Sequence, residues 1–441
     1  MSLSLPQEGL KREISAKAIA ANAINAAIGA GIFILPARVS ETLGPSGILA
    51  YALCGLLIFM VMLCFAEVGS RVTRSGGAYA YVENAFGPYL GFITSNLYWF
   101  GFGLISDAAI INAMAEMLTT VFPWFGLFWV KCIFFALTFT VLGYVNVLGV
   151  KHGSRLVEFI TFIKLLPLLL LIMVGWTTVV PENLTWTTWP SLFDLGQASL
   201  LLFFAFGGAE SALTVSGEIK NPQRSVPLGI LWGIGIVVLI YMAIHLITQG
   251  ILGPNLTLFK EAPLAEASKE VFGPAGTVLI LVCSAMCIWG ALSGDVLTMP
   301  RFLFAGARDR LFPSFLSKIH PRFSTPYWAI IVYAALGFVF SMSGGFRELA
   351  ILSSSAILIT YLAVIMSAIK MRIDQKTLSN NGFKIPGGYF VHFVAMSTII
   401  WFLTHLTSGE LTAIVLALVA FSLIYMVGRL VGAKVAVKNE F

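Results

Sequence analysis

The sequence predicts an all-α membrane protein with about twelve transmembrane helices. Three observations lead there. First, 58% of the 441 residues are hydrophobic and only 11% are charged, where an average soluble domain carries about 25% charged residues. So few polar groups cannot cover a soluble protein of this size, which excludes a water-soluble globular enzyme and equally a disordered chain. Second, the apolar residues fall in long runs, and about 20 such residues are what a helix needs to cross the hydrocarbon core. A transmembrane β-barrel would show alternating segments of about ten residues instead. Third, the positive charges collect in alternate loops, the pattern that orients helices in a bilayer.

The runs can be taken in order. The polar stretch Met1 to Lys17 lacks the pattern of a cleaved signal peptide, so the first run, at about 17–38, is read as a retained span. The second, about 46–70, leads to Arg71 and Arg74. The third and fourth, about 90–118 and 126–147, lead to Lys151 and Arg155. The fifth and sixth, about 154–176 and 196–217, lead to Lys220 and Arg224. The seventh and eighth, about 226–250 and 275–300, lead to Arg301, Arg308, Arg310, Lys318 and Arg322. The ninth and tenth, about 327–343 and 347–370, lead to Lys370, Arg372, Lys376 and Lys384. The eleventh and twelfth, about 388–407 and 410–430, lead to Arg429, Lys434 and Lys438.

With the N-terminus cytoplasmic, 21 of the 27 Lys and Arg residues fall on the cytoplasmic side. The exceptions are Arg38, Lys131, Lys164, Lys260, Lys269 and Arg347. Exterior loops are acidic or neutral. The expected protein is therefore multi-pass in the cell inner membrane with both termini cytoplasmic, and the net charge of +6 belongs to its loops and not to a nucleic-acid site. The chain reads as one transmembrane domain over 1–441, with a first repeat at about 17–176, a second at about 196–370 and two extra helices at about 388–430. Cys54, Cys64, Cys132, Cys283 and Cys287 lie in apolar runs, and the five histidines are scattered. No metal site, cofactor or catalytic constellation is expected, so the chain is not read as an enzyme.

Two spans are interrupted by glycine. The first contains Asn25-Ala26-Ala27-Ile28-Gly29-Ala30-Gly31-Ile32-Phe33, and the sixth contains Phe203-Phe204-Ala205-Phe206-Gly207-Gly208-Ala209-Glu210-Ser211. Five spans separate them, so they hold corresponding positions in two five-helix halves. Irregular backbone at membrane depth is tolerated only where it is buried in protein or lines a cavity, and such a matched pair marks a transporter's central site. The half-helix after Gly31 offers N–H groups to a carboxylate. The half-helix ending near Phe206 offers carbonyls to an ammonium group. Together they suit the two charges of an α-amino acid. The bland alternative is that these glycines only let helices pack closely.

Further motifs accompany the breaks: Ser75-Gly76-Gly77-Ala78-Tyr79-Ala80-Tyr81, Phe86-Gly87-Pro88-Tyr89-Leu90-Gly91, Lys220-Asn221-Pro222-Gln223-Arg224-Ser225-Val226-Pro227 and Ala307-Arg308-Asp309-Arg310-Leu311-Phe312-Pro313. By these, the chain resembles the amino acid–polyamine–organocation superfamily of transporters over nearly its whole length, and within it the bacterial basic amino acid/polyamine antiporters. The resemblance implies an inverted repeat of five plus five helices with broken first and sixth helices, two C-terminal helices and alternating access. It implies a substrate site at Ala27, Ile28, Gly29, Ala30, Gly31, Phe204, Gly207 and Gly208. In that site the Ala30 and Gly31 amides meet the carboxylate, and the Ala27, Phe204 and Gly207 carbonyls meet the amine. Phe204 stands where the antiporters have a gating Trp, and Ala30 stands where the family often has Ser. Gly101, Phe102 and Ser106 match pocket positions.

Ionisable residues at membrane depth cost at least about 2.5–3.5 kcal/mol each and need a reason. Glu210 resembles a gating and proton-sensing Glu of the antiporters; its bland alternative is to satisfy freed amides of the broken helix. Asp295 stands where the antiporters have a pocket Trp, so it either faces a cationic side chain or pairs with an internal cation such as Lys164 or Arg301. Asp107 adjoins Ser106 but points about 100° away around the helix. Glu67 and Glu158 are expected to pair with Arg71 or Arg155. Lys164 matches a Lys of sodium-independent branches that replaces a bound cation near Ala27 and Ile28; the antiporters usually lack it. The expected function is secondary active, sodium-independent amino acid transport, by exchange or with protons, with Lys164, Glu210 and Phe204 in coupling and gating. Cationic amino acids or their amines are the first substrate choice and small neutral amino acids the second. A non-transporting amino acid sensor on the same fold is the reading from another class. The expected partners are an amino acid and the lipid bilayer, with a homodimer as candidate assembly.

Overall fold

The computed structural model describes residues 14–72, 76–149, 154–213, 219–374 and 383–438, without side chains at 154–163 and 431–438. Glu158, Arg155 and Ser75 are therefore outside the described side chains. Each of the twelve predicted runs contains helix among the described residues, where the only extended pairing is an isolated bridge between Ile14 and Ile219.

The first run is split into α1 (Ala16–Ala27) and α2 (Gly31–Leu43). A turn at Gly44–Gly47 leads into α3 (Ile48–Gly69). The short α4 (Ala78–Phe86) precedes α5 (Pro88–Thr119). Then come α6 (Phe128–Leu148), α7 (Ser154–Gly175) and α8 (Leu192–Leu202). The second half continues with α9 (Pro222–Leu252), α10 (Pro263–Phe272), α11 (Pro274–Thr298) and α12 (Pro300–Arg308). It closes with α13 (Tyr327–Ser341), α14 (Phe346–Ile373), α15 (Phe390–Leu403) and α16 (Ser408–Lys438). Among the described residues, seven helical stretches are long and apolar enough to cross a membrane, and four shorter apolar helices accompany them.

Glycine decides where helices come closest. A Cβ at Gly229 would lie 2.7 Å from Ile19 Cβ, and one at Gly233 would lie 3.0 Å from Ala23 Cβ. These two glycines on α9 let α1 lie flush against it, the packing mode expected where lipid removes the hydrophobic drive between helices. At the other extreme, α6 and α16 show Trp129, Leu137, Tyr144, Leu416 and Leu430 more than half exposed. Helices so apolar on their outer face suit lipid and not water.

The middle of α5 departs from the expected continuous helix. Residues Leu97–Leu104 form a π-helical stretch, a wider turn that often marks functional sites. Its extra residue per turn rotates Tyr98 and Phe102 relative to Asp107 further along. At the foot of α3, Glu67 is fully buried and lies 3.3 Å from Arg71, the partner expected. A second partner comes from far along the chain. Arg372, at the end of α14, donates Nε to Glu67 Oε1 at 2.6 Å and Nη2 to Oε2. The Ile385 amide also donates to Oε2, at 3.2 Å.

Candidate functional site

Both glycine interruptions are real breaks, and they meet. Helix α1 ends at Ala27, with Ile28 at φ −77° and ψ 85°. Helix α2 begins at Gly31 with no side-chain cap; the Phe33 amide turns back to the Ala30 carbonyl at 3.1 Å, which leaves the Ala30, Gly31 and Ile32 amides without an acceptor among the described residues. In the sixth run α8 passes into a tight helical turn at Phe203–Phe206, Gly207 is extended, and Gly208 takes φ +98°, a conformation glycine reaches without strain. A short turn at Ala209–Leu213 follows.

Contact between the breaks is close. A Cβ on Gly31 would sit 2.9 Å from Ala205 Cβ, and one on Gly208 would sit 3.2 Å from the Ala26 carbonyl oxygen. Gly207 is covered by Phe102, whose ring would lie 2.6 Å from an added Cβ. Gly31 and Gly207 thus serve close packing, the bland alternative for these two positions. Gly29 differs: apart from its two chain neighbours, no described atom lies within 4 Å of where its Cβ would stand. Phe204 is buried and sets its ring edge-on to Phe346, with centroids 5.6 Å apart.

Two side chains hold the freed carbonyls. Lys164 is 7% exposed, and its Nζ donates to the Asn25 carbonyl at 2.5 Å and the Ile28 carbonyl at 2.9 Å. Tyr241, on α9, donates its hydroxyl to the Ala27 carbonyl at 2.6 Å and shares it with the Ala205 carbonyl at 2.9 Å. One phenol therefore ties the first break to the second. Sequence reasoning missed Tyr241. The available signal was a single hydroxyl within the apolar run Val237 to Ile240 and Met242 to Ile244, which by itself does not say where the helix faces. Tyr241→Phe removes the only donor to the Ala205 carbonyl among the described residues. It should cost about 1–3 kcal/mol of stability, read as a lowered melting temperature in detergent, with unchanged melting contradicting the assignment.

Glu210 sits just past the second break, 2% exposed. Its Oε2 accepts from the Gly208 amide at 3.1 Å and from Tyr361 on α14 at 2.5 Å. The carboxylate thus satisfies a freed amide. It also lines a small cavity of about 10 Å³, room for one water, with Gly76, Ala78, Tyr79, Tyr98 and Phe302. Asp295 lies near enough to Glu210 and Tyr98 for their charges to interact. It is partly buried on α11 and its carboxyl group meets that of Asp107. Neither Lys164 nor Arg301 pairs with it: Arg301 turns its Nη1 to the Leu297 carbonyl. Ser106 is partly buried, with no hydrogen bond to either break among the described residues.

A family model described as amino acid permease matches residues 14–429. The chain belongs to the amino acid permease family. The permease is 31% identical over 406 residues to the serine/threonine exchanger SteT of Bacillus subtilis, covering 88% of this chain and 90% of that protein. It is 30% identical to the rabbit (Oryctolagus cuniculus) b(0,+)-type amino acid transporter 1, covering 80% and 74%. It is 26% identical to the branched-chain amino acid permease BcaP of Bacillus subtilis, covering 86% and 85%. Its relatives are membrane transporters and not enzymes, and with its apolar helices the permease is a multi-pass membrane protein.

Proposed function

We propose that the permease is a sodium-independent transporter of small neutral amino acids, working by alternating access around the two broken helices. The observation that carries this reading is the open face of Gly29 between two breaks that otherwise pack tightly. There the unpartnered amides at the start of α2 are available to a carboxylate. An ammonium group would take carbonyls of the second break near Phe204 and Gly207. The proposed site is thus Ala27, Ile28, Gly29, Ala30, Gly31, Phe204, Gly207 and Gly208, in an inverted repeat of five plus five helices. Phe102 forms part of the wall and Phe204 with Phe346 forms the lid. Both termini are proposed to be cytoplasmic.

The first-choice cationic substrate depended on Asp295 facing the substrate side chain. Its contact with Asp107 removes the argument for a cationic substrate that rested on Asp295, which supports the neutral alternative. The name of the serine/threonine exchanger points the same way. Uptake into proteoliposomes should therefore be competed by serine, threonine or alanine and not by arginine or lysine. Strong competition by arginine would return Asp295 to the substrate pocket.

The site assignment has its own test. Gly29 does not require a positive φ, and the space beside it accepts a side chain. Gly29→Val should fold normally and place two methyl groups where the substrate carboxylate lies. Affinity should fall at least about tenfold, a loss of about 1.4 kcal/mol, measured by scintillation proximity binding. A folded Gly29→Val variant with unchanged affinity would remove the site from this break. Gly31→Val is the poorer test, because its side chain would strike Ala205 and disturb packing first.

A further inference from the structure

Asp107 is fully buried on α5. Tyr333, from α13, donates its hydroxyl to Asp107 Oδ2 at 2.9 Å. The other oxygen, Oδ1, has no hydrogen-bond donor. Facing Asp107 is the carboxyl of Asp295 on α11, in hydrogen-bonding contact. Three helices thus bring two acids together, and neither acid forms an ion pair among the described residues. The titratable groups around them are Tyr333 from α13, Glu210 from the broken segment and Tyr98 from α5 itself. Lys164 is engaged on the other side with the α1 carbonyls.

Two carboxylates in contact and out of water cannot both be charged; such dyads share a proton. A proton on Asp295 gives Asp107 Oδ1 the donor it lacks. We propose that Asp107 and Asp295 hold one proton between them, and that this pair is the permease's proton-binding site, separate from the substrate site at the breaks. It rests on the transporter reading of the breaks and adds the coupling ion to it.

The geometry also supplies a route and a trigger. Asp107 is sealed, whereas Asp295 keeps partial exposure next to the exposed Ser293 and Gly294, so the proton enters and leaves through Asp295. Glu210 is close enough to Asp295 for their charges to interact, and it lies on the segment just past the second break. Moving that segment changes the negative charge beside the pair, and with it the pair's hold on the proton. Lys164, bonded to two carbonyls, is then a strut and not the carrier.

Two measurements test this. Infrared spectra of the purified permease, taken without substrate at neutral pH, should show the C=O stretch of a neutral buried carboxyl. That band should shift or disappear in both Asp107→Asn and Asp295→Asn, since removing either acid removes the shared proton. In phosphatidylethanolamine/phosphatidylglycerol vesicles, labelled serine should accumulate up to about tenfold under a gradient of one pH unit, acid outside. That limit holds for one proton carried per neutral substrate, because one pH unit is worth 1.36 kcal/mol. The ratio of accumulation with the gradient to that without it should fall to about one in both Asn variants.

A wild-type spectrum without the band, or a ratio unchanged in either variant, overturns the proposal. A gradient response lost in Lys164→Ala but kept in the Asn variants overturns it as well. Serine counterflow without any gradient response refutes proton coupling and leaves the transporter reading standing. The band without counterflow of any amino acid refutes the transporter reading and leaves the shared proton standing.

Discussion

Replacing Lys164 with Ala should reduce transport by at least about tenfold, while replacing sodium with choline should leave wild-type transport unchanged. Both results have one cause. The C-terminal end of a helix carries partial negative charge on its unpaired carbonyls. In α1 that end lies at membrane depth, and the Lys164 ammonium bonds the Asn25 and Ile28 carbonyls there. In the proposed mechanism this fixed ammonium stands in the place of a metal cation. Its removal leaves two buried acceptors, at about 1–3 kcal/mol each, and frees the break at which the substrate site is proposed. Initial uptake rates in proteoliposomes, with and without sodium, check both expectations. Steep sodium dependence of the wild type would overturn the substitution argument, and full activity of Lys164→Ala would overturn the strut.

Arg372→Met should produce the largest loss of stability among substitutions of charged residues. Glu67 is fully buried, and Arg372 holds both of its carboxylate oxygens while also donating to the Ile385 carbonyl at 3.1 Å and to the Gly388 carbonyl. Removing one partner of a buried pair strands the other charge, at a cost of about 3–5 kcal/mol. Arg71 remains 3.3 Å from Glu67, which places the expected loss at the lower end of that range. The pair joins α3, α14 and the chain before α15, so all three should loosen together. Melting measured by fluorescence-detected size exclusion should show a marked drop for Arg372→Met. The double variant with Glu67→Gln should recover part of it, because the stranded charge is gone. Equal melting of Arg372→Met and wild type would mean that the pair contributes nothing.

Legibility in the sequence varied with the range of the interaction. The positions of the helices were readable, because a run of apolar residues near Ile48–Gly69 or Phe346–Ile373 is a local property of the chain. So were the breaks, because Gly29, Gly31, Gly207 and Gly208 interrupt runs that should be continuous. The pairing of Glu67 with Arg71 spans only four residues at the end of α3. Arg372, 305 residues away from Glu67, could not be read, since nothing local marks which distant cation will arrive. The same holds for Tyr241 between the two breaks, and for the π-helical stretch at Leu97–Leu104, whose backbone register depends on what packs against it.

The sequence by itself determined that this chain lives in a lipid bilayer, where its helices run and where two of them must fail. Those facts follow from the cost of exposing polar groups to hydrocarbon and from the freedom of glycine, and both act over a few residues. Only the tertiary structure decided which glycine faces open space and which serves packing, and which acid meets which partner. Asp295 had three candidate partners along the sequence, namely a substrate cation, Lys164 and Arg301, and the fold gave it a fourth, Asp107. A charge at membrane depth takes whatever group the crossing helices bring within reach, and that is set by the angle and rotation of α5, α11 and α13 against one another, not by spacing along the chain.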